Sequence, residues 1–358
     1  MPVPETSTLA KHQPRFTPSQ DCIPPAPLSP LSDAQAAALD ALRDHIHTTV
    51  AKTDPQRRWA DDPCLIRYLK ARKWNLHDAQ QALQDTITWR DQFKPDVPDK
   101  DTLWTETATG KMYVSGFDAE CRPLLYMKPR LENTAASLAQ VRHVVFHLEV
   151  AIAIMPPNVQ SLCIVIDFAG ASMTKTPGVS IAREILHVLG SHYPERLGKG
   201  YIIHAPWFFF PTYKLISPFI DPVTKAKINF VDMKKQQPKT IISTPSSAAA
   251  SDVDLSSSSS SSRSAKGSSG DGSAISGGST VTRTPTTTTT SSASSVATLS
   301  NRSDNNVNLL DLIPEDMLEQ AFGGSSDYEY DQQAYWLAAE KVIARAREAR
   351  ERVQDPVV

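Results

Sequence analysis

Two short stretches of this chain bring together a carboxylate, a hydroxyl and an ammonium. Asp221-Pro222-Val223-Thr224-Lys225-Ala226-Lys227 carries a helix-start signal, with Asp as cap and Pro in the first turn. Thr224 and Lys227 are three residues apart, so they share a face of that helix, whose first-turn amides point outward. One offers a hydroxyl to a phosphate and the other a charge. Upstream, Tyr193-Pro194-Glu195-Arg196-Leu197-Gly198 supplies Glu195, and the aromatic run Trp207-Phe208-Phe209-Phe210-Pro211 lies between the two. No catalytic nucleophile accompanies them. The set suits holding a molecule with a polar, anionic head and an apolar body. On the residues alone, Pro-Glu-Arg reads more readily as a surface turn and Lys227 as a solvated charge.

Catalytic alternatives find little to stand on. The chain has no Gly-x-Ser-x-Gly elbow, no phosphate loop and no His-Glu-x-x-His. His143 and His147 sit four apart on an expected helix, but Glu149 is not at the metalloprotease position and no third ligand is evident. Asp167 closes an expected strand without a visible acid–base partner. The expectation is a protein that is not an enzyme and needs no cofactor or metal.

The chain has 358 residues and a formal net charge of -2, so nucleic acid is not an expected partner and any anion must be met by a local basic site. Cys22, Cys64, Cys121 and Cys163 lack metal or redox spacing and read as incidental thiols of a reducing compartment. The N-terminus has no signal-peptide core, and Val144–Met155 and Tyr201–Phe210 are interrupted before reaching membrane-spanning length. A cytoplasmic protein that meets membranes peripherally, from one side, is expected.

These groups need elements to position them. Residues 1–30, rich in Pro and Ser, read as a disordered arm, and 31–100 as a helical lobe. Ser32 starts its first helix, Asp62-Pro63 the second, and the third runs from about Asp78 to Phe93. Residues 101–242 switch to alternation: a hairpin of Lys111–Phe117 and Pro123–Lys128, a helix at Ser137–Met155, and the apolar strand Leu162–Ile166. Helix Val179–His192, strand Tyr201–His204, helix Trp207–Ile220 and strand Ile228–Val231 follow. The implied class is α/β, with a mixed, largely parallel sheet. Residues 243–306, with serines throughout 256–262 and threonines throughout 286–290, read as a disordered insertion open to phosphorylation. In 307–358, Ile313-Pro314-Glu315 is expected to open a helix carrying Met317, Leu318 and Phe322 and ended by Gly323-Gly324, before a last helix at Asp331–Val353.

These segments in this order resemble the CRAL-TRIO lipid-binding family, in its fungal phosphatidylinositol-transfer branch. The resemblance rests on Cys64-Leu65-Ile66-Arg67-Tyr68-Leu69-Lys70-Ala71-Arg72-Lys73-Trp74, Arg122-Pro123-Leu124-Leu125-Tyr126 and Ile166-Asp167-Phe168. Its strongest parts are Tyr193 to Lys199 and Pro218 to Thr224, with Phe322-Gly323-Gly324 and Tyr335-Trp336 in support. It implies a helical lobe and a sheet floor roofed by a mobile gate helix, here Trp207–Ile220, over an apolar lipid pocket. It also implies that Glu195, Thr224 and Lys227 hold the phosphatidylinositol headgroup, with Glu195 accepting from inositol hydroxyls. Lys70, Arg72 and Lys73 are secondary candidates. Ser172 and Thr174 resemble paired hydroxyls used for a choline head, so a second ligand, phosphatidylcholine or a sterol, is implied. Trp207, Phe208, Phe209 and Phe210 would insert into the membrane. Transfer of phosphatidylinositol, or its presentation to a lipid kinase, would be the function.

Overall fold

The computed structural model describes residues 10–27, 30–173, 179–233 and 307–352. The segments on either side of the expected insertion belong to one compact unit, while residues 243–306 themselves lie outside the described residues.

The helical lobe is set by its caps. Ser32 closes a capping box with Gln35 and starts α1 (Asp33–His45), and Thr53 does the same with Gln56 for α2 (Asp54–Trp59). The cap of α3 (Asp62–Ala71) is Asp61, which accepts from the Cys64 amide at 2.9 Å, one residue earlier than the sequence pattern suggested. Asn75 caps α4 (Leu76–Phe93), which stops at Lys94 in the left-handed region. Leu42, Ile46, Leu65, Leu69 and Leu83 meet in a core of their own. Burying each stabilises the lobe by about 1.5–3 kcal/mol. A further helix, α5 (Lys100–Thr107), leads into the sheet.

The sheet has strand order β1-β2-β3-β4-β5: Met112–Phe117, Pro123–Met127, Leu162–Asp167, Leu197–Ile203 and Ile228–Val231. β1 and β2 form the expected antiparallel hairpin, and the remaining pairs are parallel. β4 starts four residues before its expected start, because Leu197 to Gly200 already pair with β3 and β5. α6 (Leu138–Ala153) is buried along most of its length. Within it, His143 and His147 meet edge-on, 4.5 Å apart, inside the core. Burial pushes the His147 imidazole down to about 4 and holds His143 well below its ordinary value. The four cysteines are free and buried.

Two expectations change. Residues 10–27 are not a disordered arm: they cover the outer edge of the hairpin. The Gly116 amide donates to the Arg15 carbonyl and the Ile23 amide to the Ala119 carbonyl, both at 2.9 Å, and Cys22 is buried. An edge strand offers just such unpaired backbone groups. Likewise Ile313-Pro314-Glu315 opens no α-helix. The segment makes short 3-10 turns at Leu309–Asp311 and Gln320–Phe322, the second ended by Gly323 at φ 92. A Cβ on Gly324 would fall 2.0 Å from the Leu318 carbonyl oxygen, so the turn closes only around glycine. Met317, Leu318 and Phe322 are still buried. Lys128 pairs with Glu319 at 2.8 Å, tying this segment to the hairpin. α10 (Gln332–Glu351), capped by Asp331, completes the unit, with Tyr335 and Trp336 in the core.

Candidate functional site

Parallel strands give the sheet two unlike ends. Glu195 lies just before β4 and Lys227 just before β5, so both reach the end where these strands begin. Lys227 Nζ donates to Glu195 Oε2 at 3.4 Å. Glu195 holds a left-handed backbone, φ 57, which costs a non-glycine residue roughly 1–3 kcal/mol and is usually kept for a purpose. It turns Glu195 outward, while its neighbours Tyr193 and Pro194 are buried and Tyr193 donates to Glu149 at 2.8 Å. The Glu195–Lys227 pair is partly exposed, so it contributes little stability and exchanges partners readily.

Thr224 lies in a short helix, α9 (Pro222–Ala226), where its amide donates to the Asp221 carboxylate at 2.9 Å. Burial raises the Asp221 carboxyl, but hydrogen bonding from Thr224 outweighs it and holds the group below its usual value. Two of the three expected groups therefore face each other, and the backbone amide of the third is held by the Asp221 cap. Of the secondary candidates, Lys70 is exposed, and Lys73 with Trp74 ends α3 in two successive left-handed residues, φ 51 and 64.

At the opposite end of the strands, about 20 Å along β4 at some 3.3 Å per residue, stands a group that the sequence did not show as a unit. His204, at φ 53, meets Asp167 Oδ1 through Nδ1 at 2.9 Å, and Arg130 donates to Asp167 Oδ2 at the same distance. Asp167 thus has an imidazole on one carboxylate oxygen and a guanidinium on the other. The signal was available: both residues end adjacent parallel strands, and strand ends are where open α/β sheets gather functional groups. Ser172 is exposed in the loop after Asp167, remote from Glu195 and Lys227, and Thr174 lies outside the described residues.

Three residues beyond His204 the aromatic run begins. α8 (Phe209–Ile216) is shorter than expected, extended by a 3-10 turn at Ser217–Phe219, and has no fully buried residue. It lies beside α7 (Val179–His192). Phe209 packs on Phe168 at 4.9 Å and on Tyr213 at 5.5 Å, and Phe210 stacks on Phe230 at 5.8 Å. Trp207 is 77% exposed, and Phe210, Leu215, Phe219, Val223 and Phe230 are also exposed, so the segment has a packed side and a wet apolar side. Phe208 and Phe209 are on neither extreme; the outward rings are Trp207 and Phe210.

Residues 107–243 match the CRAL/TRIO domain, and residues 38–85 match its N-terminal domain. The chain belongs to the CRAL-TRIO family. A CRAL-TRIO domain-containing protein of Schizosaccharomyces pombe is 43% identical over 49% of this chain and 17% of its own length. Phosphatidylinositol transfer protein PDR17 of Saccharomyces cerevisiae is 39% identical over 50% of this chain and 54% of its own. SEC14 cytosolic factor of Candida glabrata is 27% identical over 55% of this chain and 70% of its own. The first two of these matches thus span about half of the relative's length or less. The CRAL-TRIO match ends where the Ser/Thr-rich tract begins, and the described residues beyond that tract pack back onto the hairpin.

Proposed function

We propose that this chain binds phosphatidylinositol, extracts it from a membrane and exchanges it for a second lipid, as a peripheral protein of the cytoplasm. The observation that carries the reading is the polarity of the sheet. A charged pair, Glu195–Lys227, lies at one end, and an exposed aromatic segment, Trp207 to Phe210, lies at the other. A lipid laid along β4 and β5 would place its head at the first and its chains toward the second. The strand length of about 20 Å exceeds half the hydrocarbon thickness of a bilayer, roughly 15 Å. The name of the PDR17 relative supports the choice of phosphatidylinositol.

Extraction must avoid exposing chains to water, at about 0.8 kcal/mol per methylene. Trp207 and Phe210 entering the interface, with α8 lifting from Phe168 and Phe230, supply a path from bilayer to protein. Lys227 would release Glu195 to meet the phosphate, leaving the carboxylate to accept from inositol hydroxyls. Choline and ethanolamine heads offer no such hydroxyls. Thr224 would add its hydroxyl to the phosphate. Ser172, at the far end, marks the place for the second lipid, phosphatidylcholine or a sterol. Among the described residues no helix is long and apolar enough to cross a membrane. The test is transfer of labelled phosphatidylinositol between vesicles. Transfer that fails for phosphatidylinositol while a lipid kinase is still stimulated would replace carriage by presentation.

A further inference from the structure

A cavity of about 300 Å³ opens between the helical lobe, the loop before β3 and the end of α10. It lies at the same end of the strands as Glu195 but does not include it. Five arginines line it: Arg58, Arg67, Arg90, Arg196 and Arg350. Two of these are neutralised, since Arg90 pairs with Glu149 at 2.8 Å and Arg350 with Asp96 at 3.3 Å. The other three have no carboxylate within ion-pair distance among the described residues. Arg58 donates to the backbone carbonyls of Arg350 and Glu351, Arg67 to the Gln160 side chain, and Arg196 to the Gln160 carbonyl at 2.7 Å. Arg67 is 8% exposed. Burial, and then the nearby Arg67, push the Arg196 guanidinium down to about 9.

Arg67 is buried, and Arg58 and Arg196 are half-buried; cations drawn partly out of water that repel one another are costly unless something negative joins them. Asp61 is the one other carboxylate on the wall, and it is occupied in capping α3. Even counting it, about two positive charges stay uncompensated. A single carboxylate or a phosphodiester brings one negative charge. A phosphate monoester brings about 1.5–2 and three acceptor oxygens, which matches both the charge and the number of forks. The volume is at the small end of the range for ligand sites, enough for a small phosphorylated molecule.

We infer that this arginine-lined cavity is a second, anionic-ligand site that takes a phosphate monoester, separate from the Glu195–Lys227 pair. The inference does not depend on phosphatidylinositol binding, whose diester head lacks that group. The monoester can belong to a soluble metabolite or to a phosphorylated lipid head.

The experiment is calorimetry and thermal denaturation of the full chain with inorganic phosphate, inositol hexakisphosphate, and vesicles with and without phosphatidylinositol 4-phosphate. Saturable binding of a soluble probe is expected, weakened at least tenfold in Arg67→Gln and in the less buried Arg58→Gln, and unchanged in the Glu195→Ala/Lys227→Ala double variant. Binding confined to the phosphorylated vesicles, with the same dependence on Arg67 and Arg58, supports the site and names a lipid as the source. Absence of binding to every probe, or binding that ignores both arginine variants, overturns it. Loss in the Glu195/Lys227 variant alone would move the phosphate to that pair and overturn the second site.

Discussion

The two ends of the parallel strands solve opposite problems with the same scaffold. Where β3, β4 and β5 begin, charges accumulate: the Glu195–Lys227 pair, and behind it the buried Arg90–Glu149 pair with its neighbouring arginines. Where they end, one Asp167–His204–Arg130 group anchors a segment whose outer surface is aromatic and wet. Polar groups at the first end are mostly engaged, and apolar groups at the second are partly uncovered. The lesson is about cost. Paired buried charges such as Arg90–Glu149 contribute rigidity, whereas exposed aromatic surface is retained at some expense in solubility and signals a task at an interface.

The largest effect should come from unpairing the charged end. Arg90→Ala leaves Glu149 buried beside Tyr193 and is expected to destabilise by about 3–5 kcal/mol, read as a lowered midpoint in urea. A loss below about 1 kcal/mol would mean that this end is wetter than described. Next comes the dry layer between the ends. His147 titrates at about 4 when folded, against an ordinary value of 6.5. Its neutral form is favoured by folding, so that stability is fully present above pH 6.5 and is lost as pH falls toward 4. The loss amounts to about 3 kcal/mol at most. Urea midpoints at pH 7.5 and 5 should diverge less in His147→Phe than in the parent chain; equal divergence would place the acid sensitivity elsewhere.

At the aromatic end, Trp207→Ser/Phe210→Ser should reduce binding to anionic vesicles roughly tenfold, about 1.4 kcal/mol. Its thermal midpoint should barely move, because both rings are exposed. A large stability loss with intact vesicle binding would turn the segment into ordinary core. The smallest effect is expected on stability in Glu195→Ala/Lys227→Ala: within about 0.5 kcal/mol, as for a partly exposed pair, though a small gain from relieving the left-handed backbone is not expected, since Ala strains there too.

Much of the scaffold was legible in the sequence because its signals are local. Ser32 with Gln35, the hairpin around Asp118–Arg122, and the apolar run from Leu162 each carry their structure in a few residues. What escaped was set by tertiary context. The 10–27 segment looks disordered by composition, yet it follows an edge strand that composition cannot reveal. The 309–322 turns look helical by spacing, yet Gly324 packs on the Leu318 carbonyl. For the site, neighbouring strands place Glu195 beside Lys227, and Asp221 caps the Thr224 amide. His204 and the clustered Arg67 and Arg196 were invisible as groups, because their meaning lies in what faces them across the fold.

The central claim is that the charged end holds a phosphatidylinositol head. Mass spectrometry of lipids co-purifying with the full chain, beside the Glu195→Ala/Lys227→Ala variant, addresses it most directly. Phosphatidylinositol on the parent protein, and its selective loss from a folded double variant that keeps the second lipid, is the predicted result. Phosphatidylinositol absent even after incubation with vesicles that contain it, or retained equally by the variant, would contradict the account.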